Sequence, residues 1–113
     1  MSARNKLLTA PPYPVEQTLR RLGANLRTAR LRRNLTIGDM AEKIGTGQRA
    51  VIDAEKGKPS TGIAVYVAML WALDLLDQMV DVAAPDKDDE GQTLAMSRER
   101  TRARPKAGLN NDF

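Results

Sequence analysis

The chain has no cysteine and no histidine among its 113 residues. Without thiols there is no disulfide framework, and without imidazole the usual zinc ligand sets and the commonest general base are missing. Carboxylates remain, but no pair of them sits in an apolar context of the kind that tunes a catalytic acid and base. The composition therefore argues against an enzyme, and no metal, cofactor or small-molecule substrate is expected. No apolar run reaches the roughly 18 residues a membrane helix needs; the run Ile63 to Leu73 has eleven. The opening Met1-Ser2-Ala3-Arg4-Asn5-Lys6 is followed by only Leu7-Leu8 before polar residues and prolines, so neither a signal peptide nor an anchor is visible. The expected location is the cytoplasm, with no membrane partner.

What is present is charge, unevenly spread. Residues 1–58 hold 12 Lys or Arg against 5 Asp or Glu, residues 59–97 hold 1 against 7, and residues 98–113 hold 5 against 2. A basic front half is what a phosphate-facing surface needs, and an acidic stretch after it would turn away from nucleic acid.

The length suits one helical domain of about 60 to 70 residues plus tails. Pro11-Pro12-Tyr13-Pro14 favours extended backbone, so residues 1–14 are expected to form a flexible arm. Pro14 suits the start of a helix with Glu16 in its first turn. Leu19, Leu22, Leu26 and Ala29 then recur at threes and fours, on one stripe of a helix running to about Arg33. Asn34 tolerates the left-handed conformation at a helix end. Thr36 with Asp39 resembles a capping box, Ile37, Met40, Ala41 and Ile44 form the buried stripe of a second helix, and Gly45 closes it.

Gly47 takes the N-cap of a third helix, where a hydroxyl residue would be stronger by up to about 1 kcal/mol, and Gly57 stops that helix. After the loop Lys58-Pro59-Ser60-Thr61, the run Ile63–Leu73 is apolar on every face, which predicts cover from beyond the domain's own core. Self-association is the simplest cover, with Tyr66, Met69, Trp71, Leu75 and Met79 as the candidate dimer or partner surface. Leu75, Leu76, Met79 and Val80 form the stripe of a fifth helix, with Asp77, Gln78 and Asp81 on its other side. From about Ala84 the chain is charged and poor in apolar residues, too little to offset the entropy of ordering it. The expected organisation is an all-α, five-helix domain over residues 15–83, with disordered arms at 1–14 and 84–113.

Two helices separated by so short a turn are the helix-turn-helix pattern, and the second begins with Gln48 and Arg49. Gln48, Arg49, Ile52 and Asp53 fall on the face opposite Val51 and Ala54. Glutamine bonds bidentately to adenine and arginine to guanine in the major groove, at about 1 to 3 kcal/mol of discrimination each. The bland alternative is a solvated polar face; for Ile52, contact with a thymine methyl competes with peripheral packing. Thr46, Lys43, Lys56 and Lys58 are the candidates for the DNA backbone.

The chain resembles the lambda-repressor-like helix-turn-helix family of Cro/Xre type over about residues 19 to 82. Arg30, Leu35-Thr36, Met40-Ala41-Glu42-Lys43-Ile44-Gly45, Val51, Ala54 and Glu55-Lys56-Gly57-Lys58-Pro59 carry the resemblance. It implies five helices, an ion pair of Arg30 with Glu55 beneath the surface, and a base-reading glutamine at Gln48. The chain departs from the family pattern at Ile37, where a phosphate-gripping glutamine is frequent, and at Gly47, which replaces a hydroxyl residue. An all-round apolar fourth helix and a charged tail further resemble the antitoxins of Hip-type toxin–antitoxin modules. That likeness implies a homodimer bound to operator DNA in its own promoter and docked on a kinase-like toxin. The segment Leu94–Phe113 would be the docking strand, with Met96 and Phe113 as apolar anchors and Arg100 and Arg102 as pairing charges; its alternative is a solubilising tail. A stand-alone or phage-type regulator, and an adaptor using the same fold without specific DNA reading, remain the rival expectations.

Overall fold

The computed structural model describes the backbone of residues 5–110 and the side chains of residues 5–103, and among them there are helices and no strand. The chain divides into two units, the first ending at Asp77 and the second beginning at Gln78.

The first unit opens with α1, the single turn Lys6–Thr9, capped by Asn5, whose Oδ1 accepts from the Leu7 N–H at 2.9 Å. Then come α2 (Tyr13–Arg32), α3 (Ile37–Ile44), α4 (Gln48–Glu55) and α5 (Ile63–Ala72). The arm expected over residues 1–14 thus holds one helical turn and the start of α2; residues 1–4 lie outside the described residues. Pro14 sits within the first two positions of α2, where its missing N–H has no helical partner to lose.

Helices α2 to α5 all end in one way. Each is followed by a residue in the left-handed region: Asn34 (φ 56°), Gly45 (φ 78°), Gly57 (φ 70°) and Asp74 (φ 61°). The next N–H then reaches back five residues: Leu35 to Arg30, Thr46 to Ala41, Lys58 to Asp53 and Leu75 to Leu70, at 2.8 to 3.2 Å. This double-turn closure satisfies carbonyls the helix leaves orphaned and reverses the chain sharply, so that α3, α4 and α5 fold back over the long α2 and one another.

The core lies where α2, α3, α4 and α5 meet. Leu26, Met40, Val51, Met69 and Leu73 are its largest fully buried side chains, and burial of each contributes about 1.5 to 3 kcal/mol. Gly23 lets α2 and α4 touch backbone to backbone, since a Cβ there would stand 2.5 Å from the carbonyl oxygens of Ala54 and Glu55. At α3, the capping box is complete: Thr36 Oγ1 accepts from Asp39 N–H and Asp39 Oδ2 accepts from Thr36 N–H, both at 2.9 Å.

Two expectations are corrected. The fifth helix predicted from Leu75, Leu76, Met79 and Val80 is replaced by a 3-10 turn, Leu76–Gln78, and further turns through Ala83 at φ 58°. Asp74 in the left-handed region ends α5, and a stripe of four apolar residues is too short to restart a helix against the cost of nucleation. The second correction concerns residues 84–110 of the segment expected to lack regular structure; residues 111–113 lie outside the described residues. The second unit holds a 3-10 turn, Pro85–Lys87, and the 22-residue helix α6 (Asp89–Asn110). Asp88 accepts from Gly91 N–H at 3.0 Å, and Asp89 and Glu90 occupy the first turn. The helix thus rests on local capping and dipole terms, which an argument from tertiary burial misses. None of residues 89–103 is buried.

Candidate nucleic-acid interface

Three residues, 45–47, separate α3 from α4. Gly45 closes α3, and Gly47, in extended backbone, opens α4 without a side-chain cap. The first N–H groups of α4 are therefore left for an outside acceptor, at the positive end of the helix dipole. Val51 and Ala54 are fully buried against the core, which turns Gln48 and Arg49 outward, both exposed, with Ile52 half-buried beside them. Those three expected base-reading residues share one outward face.

The fourth does not join them freely. Asp53 is half-buried, its Oδ1 lies 3.5 Å from Lys58 Nζ, and Lys58 was itself expected on the DNA backbone. Its carboxylate turns toward the loop after the helix, where Lys58 stands. Asp53 and Lys58 thus form an intramolecular pair at the edge of this face, with the Lys58 side chain half exposed. Lys43 in the last turn of α3 and Lys56 at the C-cap of α4 are exposed, as is Thr46 in the turn.

Beneath this face Arg30 is buried, with each of its three guanidinium nitrogens donating one hydrogen bond. Its Nε donates to Glu55 Oε2 at 2.6 Å, Nη2 to Glu55 Oε1 at 2.9 Å and Nη1 to the Leu35 carbonyl at 2.8 Å. The hydrogen bonds to Glu55 raise the guanidinium pKa above its ordinary value, against the opposing effect of desolvation. Arg30 thus ties the end of α4 to α2 and to the connection into α3, a positioning role with no reach to solvent.

The expected partner surface is redrawn. Tyr66 and Met69 are 2% and 0% exposed and belong to the core; the Tyr66 hydroxyl donates to the Lys58 carbonyl at 3.4 Å, and burial raises its pKa. Trp71 is 54% exposed and Ile63 66%, and with half-buried Val67 between them they make an outward stripe at i, i+4 and i+8. Leu75 is half-buried in the first unit, and Met79 half-buried in the second. An unbroken apolar run carries no period, so sequence alone does not say which of its faces looks inward.

On α6, Met96, Arg100 and Arg102 are exposed; Phe113 lies outside the described residues. Two positions that sequence reasoning passed over are Gly23, at the α2–α4 contact, and Gly38, beside Gln48. The available signal was glycine inside a helical pattern, which costs about 1 kcal/mol against alanine and so asks for a packing reason. Among the described residues no helix is long and apolar enough to cross a membrane. Comparison with protein-family models, with curated proteins and with solved structures finds no match for this chain.

Proposed function

We propose that the chain is a sequence-specific DNA-binding repressor with a lambda-repressor-like helix-turn-helix, in which α4 enters the major groove. The observation that carries this reading is the pairing of two exposed side chains suited to base edges, Gln48 and Arg49, with an uncapped helix start, on a helix anchored from below by Val51, Ala54 and the Arg30–Glu55 pair. Exposed Lys43, Thr46 and Lys56 supply backbone contacts around it. A homodimer would place two such helices on half-sites about one DNA turn apart, and the apolar stripe Ile63, Val67 and Trp71 is the surface offered for that contact. Occupying its own promoter, the dimer would act by excluding polymerase.

The finer reading is the antitoxin of a Hip-type module, with the exposed basic residues Arg98, Arg100 and Arg102 of α6 available to a kinase-like toxin. A kinase-like reading frame beside the gene, and its product co-purifying from the native host, would support that version; a solitary regulator predicts neither.

The test of DNA reading is selection of duplexes from a random pool, followed by affinities for the selected and scrambled sequences at about 150 mM salt, where purely electrostatic binding is weak and sequence-blind. The full chain is expected to prefer the selected duplex by a factor of about 1,000 or more. The double variant Gln48→Ala, Arg49→Ala should stay folded and lose that preference. Equal affinities for selected and scrambled duplex would refute the proposal in favour of an interaction adaptor.

A further inference from the structure

Gly38 stands in the first turn of α3, across from Gln48 at the start of α4. A Cβ at position 38 would lie 3.2 Å from Gln48 Nε2 and 3.9 Å from its Cδ, with Thr36 Oγ1 at 3.7 Å. The Gln48 carboxamide therefore rests over the first turn of α3, in space that a side chain at 38 would claim. Both residues line one shallow groove together with Thr36 and Ile37.

Nothing in the backbone calls for glycine there. The positive-φ glycines are Gly45 and Gly57, so Gly38 holds a conformation that any L residue adopts. Helix propensity favours alanine over glycine. Tight packing against backbone, the reason for Gly23, does not apply either, because the neighbour at 38 is the far end of a flexible side chain. What remains is the room left for the Gln48 amide.

Resting on the reading of α4 as the base-reading helix, we propose that Gly38 is a specificity-determining position: its missing side chain sets the pose from which the Gln48 carboxamide meets a base edge. A bidentate pair requires both the oxygen and the nitrogen of the amide to be aligned with the base edge. A contact at 3.2 Å is tighter than an ordinary one, so a methyl at 38 displaces Nε2 by a few tenths of an ångström. Gly38 is thus a positioning residue that acts through Gln48.

The experiment uses the full chain and the selected duplex described above. Single-base variants of that duplex identify the base pair that Gln48→Ala ceases to discriminate. Gly38→Ala is expected to melt at the same or a higher temperature than the wild type. It should lose about fivefold or more in discrimination at that base pair alone, the lower end of what one bidentate contact supplies. In a Gln48→Ala background the same substitution should change nothing further, the signature of action through one partner. Full discrimination in Gly38→Ala, or an equal loss at every base pair, overturns the inference while leaving DNA reading intact. A wild-type chain that selects no sequence overturns both.

Discussion

Arg30 of α2 and Glu55 of α4, 25 residues apart in the chain, meet through two parallel N–H···O bonds of 2.6 and 2.9 Å, each side chain only 6% exposed. The fork matches the carboxylate as a lysine could not, and the third N–H closes on the Leu35 carbonyl at 2.8 Å. One side chain thereby links the far end of α4, the last turn of α2 and the connection into α3. The exposed end of α4 is as well placed as this buried end is rigid.

Removing one member of the pair leaves the other charged and buried. Glu55→Ala should cost about 3 to 5 kcal/mol, a large part of the about 5 to 15 kcal/mol that holds a small domain folded. The measurement is urea or thermal unfolding by circular dichroism. A melting temperature lowered by less than about 4 °C would refute the structural role, since each kcal/mol is worth about 4 to 8 °C in a domain of this size. Arg30→Met combined with Glu55→Leu should recover most of the loss, because no charge is then stranded.

Gly23 offers a prediction of sign. In an exposed helix interior Gly→Ala stabilises by about 1 kcal/mol. At this position the new Cβ would meet two α4 carbonyl oxygens at 2.5 Å, and neither is the end of a side chain that can swing away. Gly23→Ala should therefore destabilise by about 1 to 3 kcal/mol as α2 and α4 are forced apart. A variant more stable than the wild type in urea would contradict the backbone contact.

Local signals carried well through the sequence and non-local ones did not. Thr36 with Asp39, Asn34, Gly45 and Gly57 announce their helix boundaries by chemistry confined to a few residues, and each stands at the boundary expected of it. Arg30 with Glu55 came from resemblance, since no spacing rule links residues 25 apart. Asp74 went unread because aspartate takes the left-handed helix stop far less often than glycine does. Tyr66 and Met69 lie inside where a partner surface was expected, because eleven consecutive apolar residues erase the period that would show an inner face. Asp53 and Lys58 sit close in sequence, and only the reversal at Gly57 brings them together.

The capping box at α3 has a pH signature. Hydrogen bonds from the Thr36 backbone N–H, and then from the Thr36 side chain, hold the Asp39 carboxyl below its ordinary range. A folded-state pKa below the unfolded one contributes stability that is present above the unfolded pKa and is lost as pH falls through the folded one. The difference in urea midpoint between the wild type and Asp39→Asn should stay constant from neutral pH to about pH 5 and shrink as the pH falls below about 4. A difference that persists unchanged into acid would show that the charge of Asp39 is not what the box uses.

The Asp53–Lys58 pair separates two kinds of lysine. Lys43 and Lys56 stand exposed beside the start and end of α4, whereas Lys58 is 3.5 Å from a carboxylate. With selected duplex, Lys43→Ala and Lys56→Ala should each flatten the slope of log affinity against log salt by about 1, the effect of one lost phosphate contact. Lys58→Ala should flatten it by clearly less, since its charge is already matched within the protein. Equal slopes for all three variants would mean that the pair opens on binding.

In the proposed homodimer, the stripe on α5 would set how two reading helices are presented at once. Ile63, Val67 and Trp71 lie along one outward face with no charge among them, while Tyr66, Met69 and Leu73 fill the core behind. A face that is apolar throughout is self-complementary: two copies related by a twofold axis set like against like without stranding a charge. Trp71→Lys places a charge in that contact and leaves the core untouched, so the variant should sediment as a monomer and unfold at nearly the wild-type urea concentration once dimer dissociation is taken into account. Its affinity for a two-half-site duplex should drop to that for a single half-site. A Trp71→Lys protein that still sediments as a dimer would move the contact off α5, and a wild-type chain monomeric at about 100 μM, far above the concentrations at which specific dimers dissociate, would remove the dimer itself.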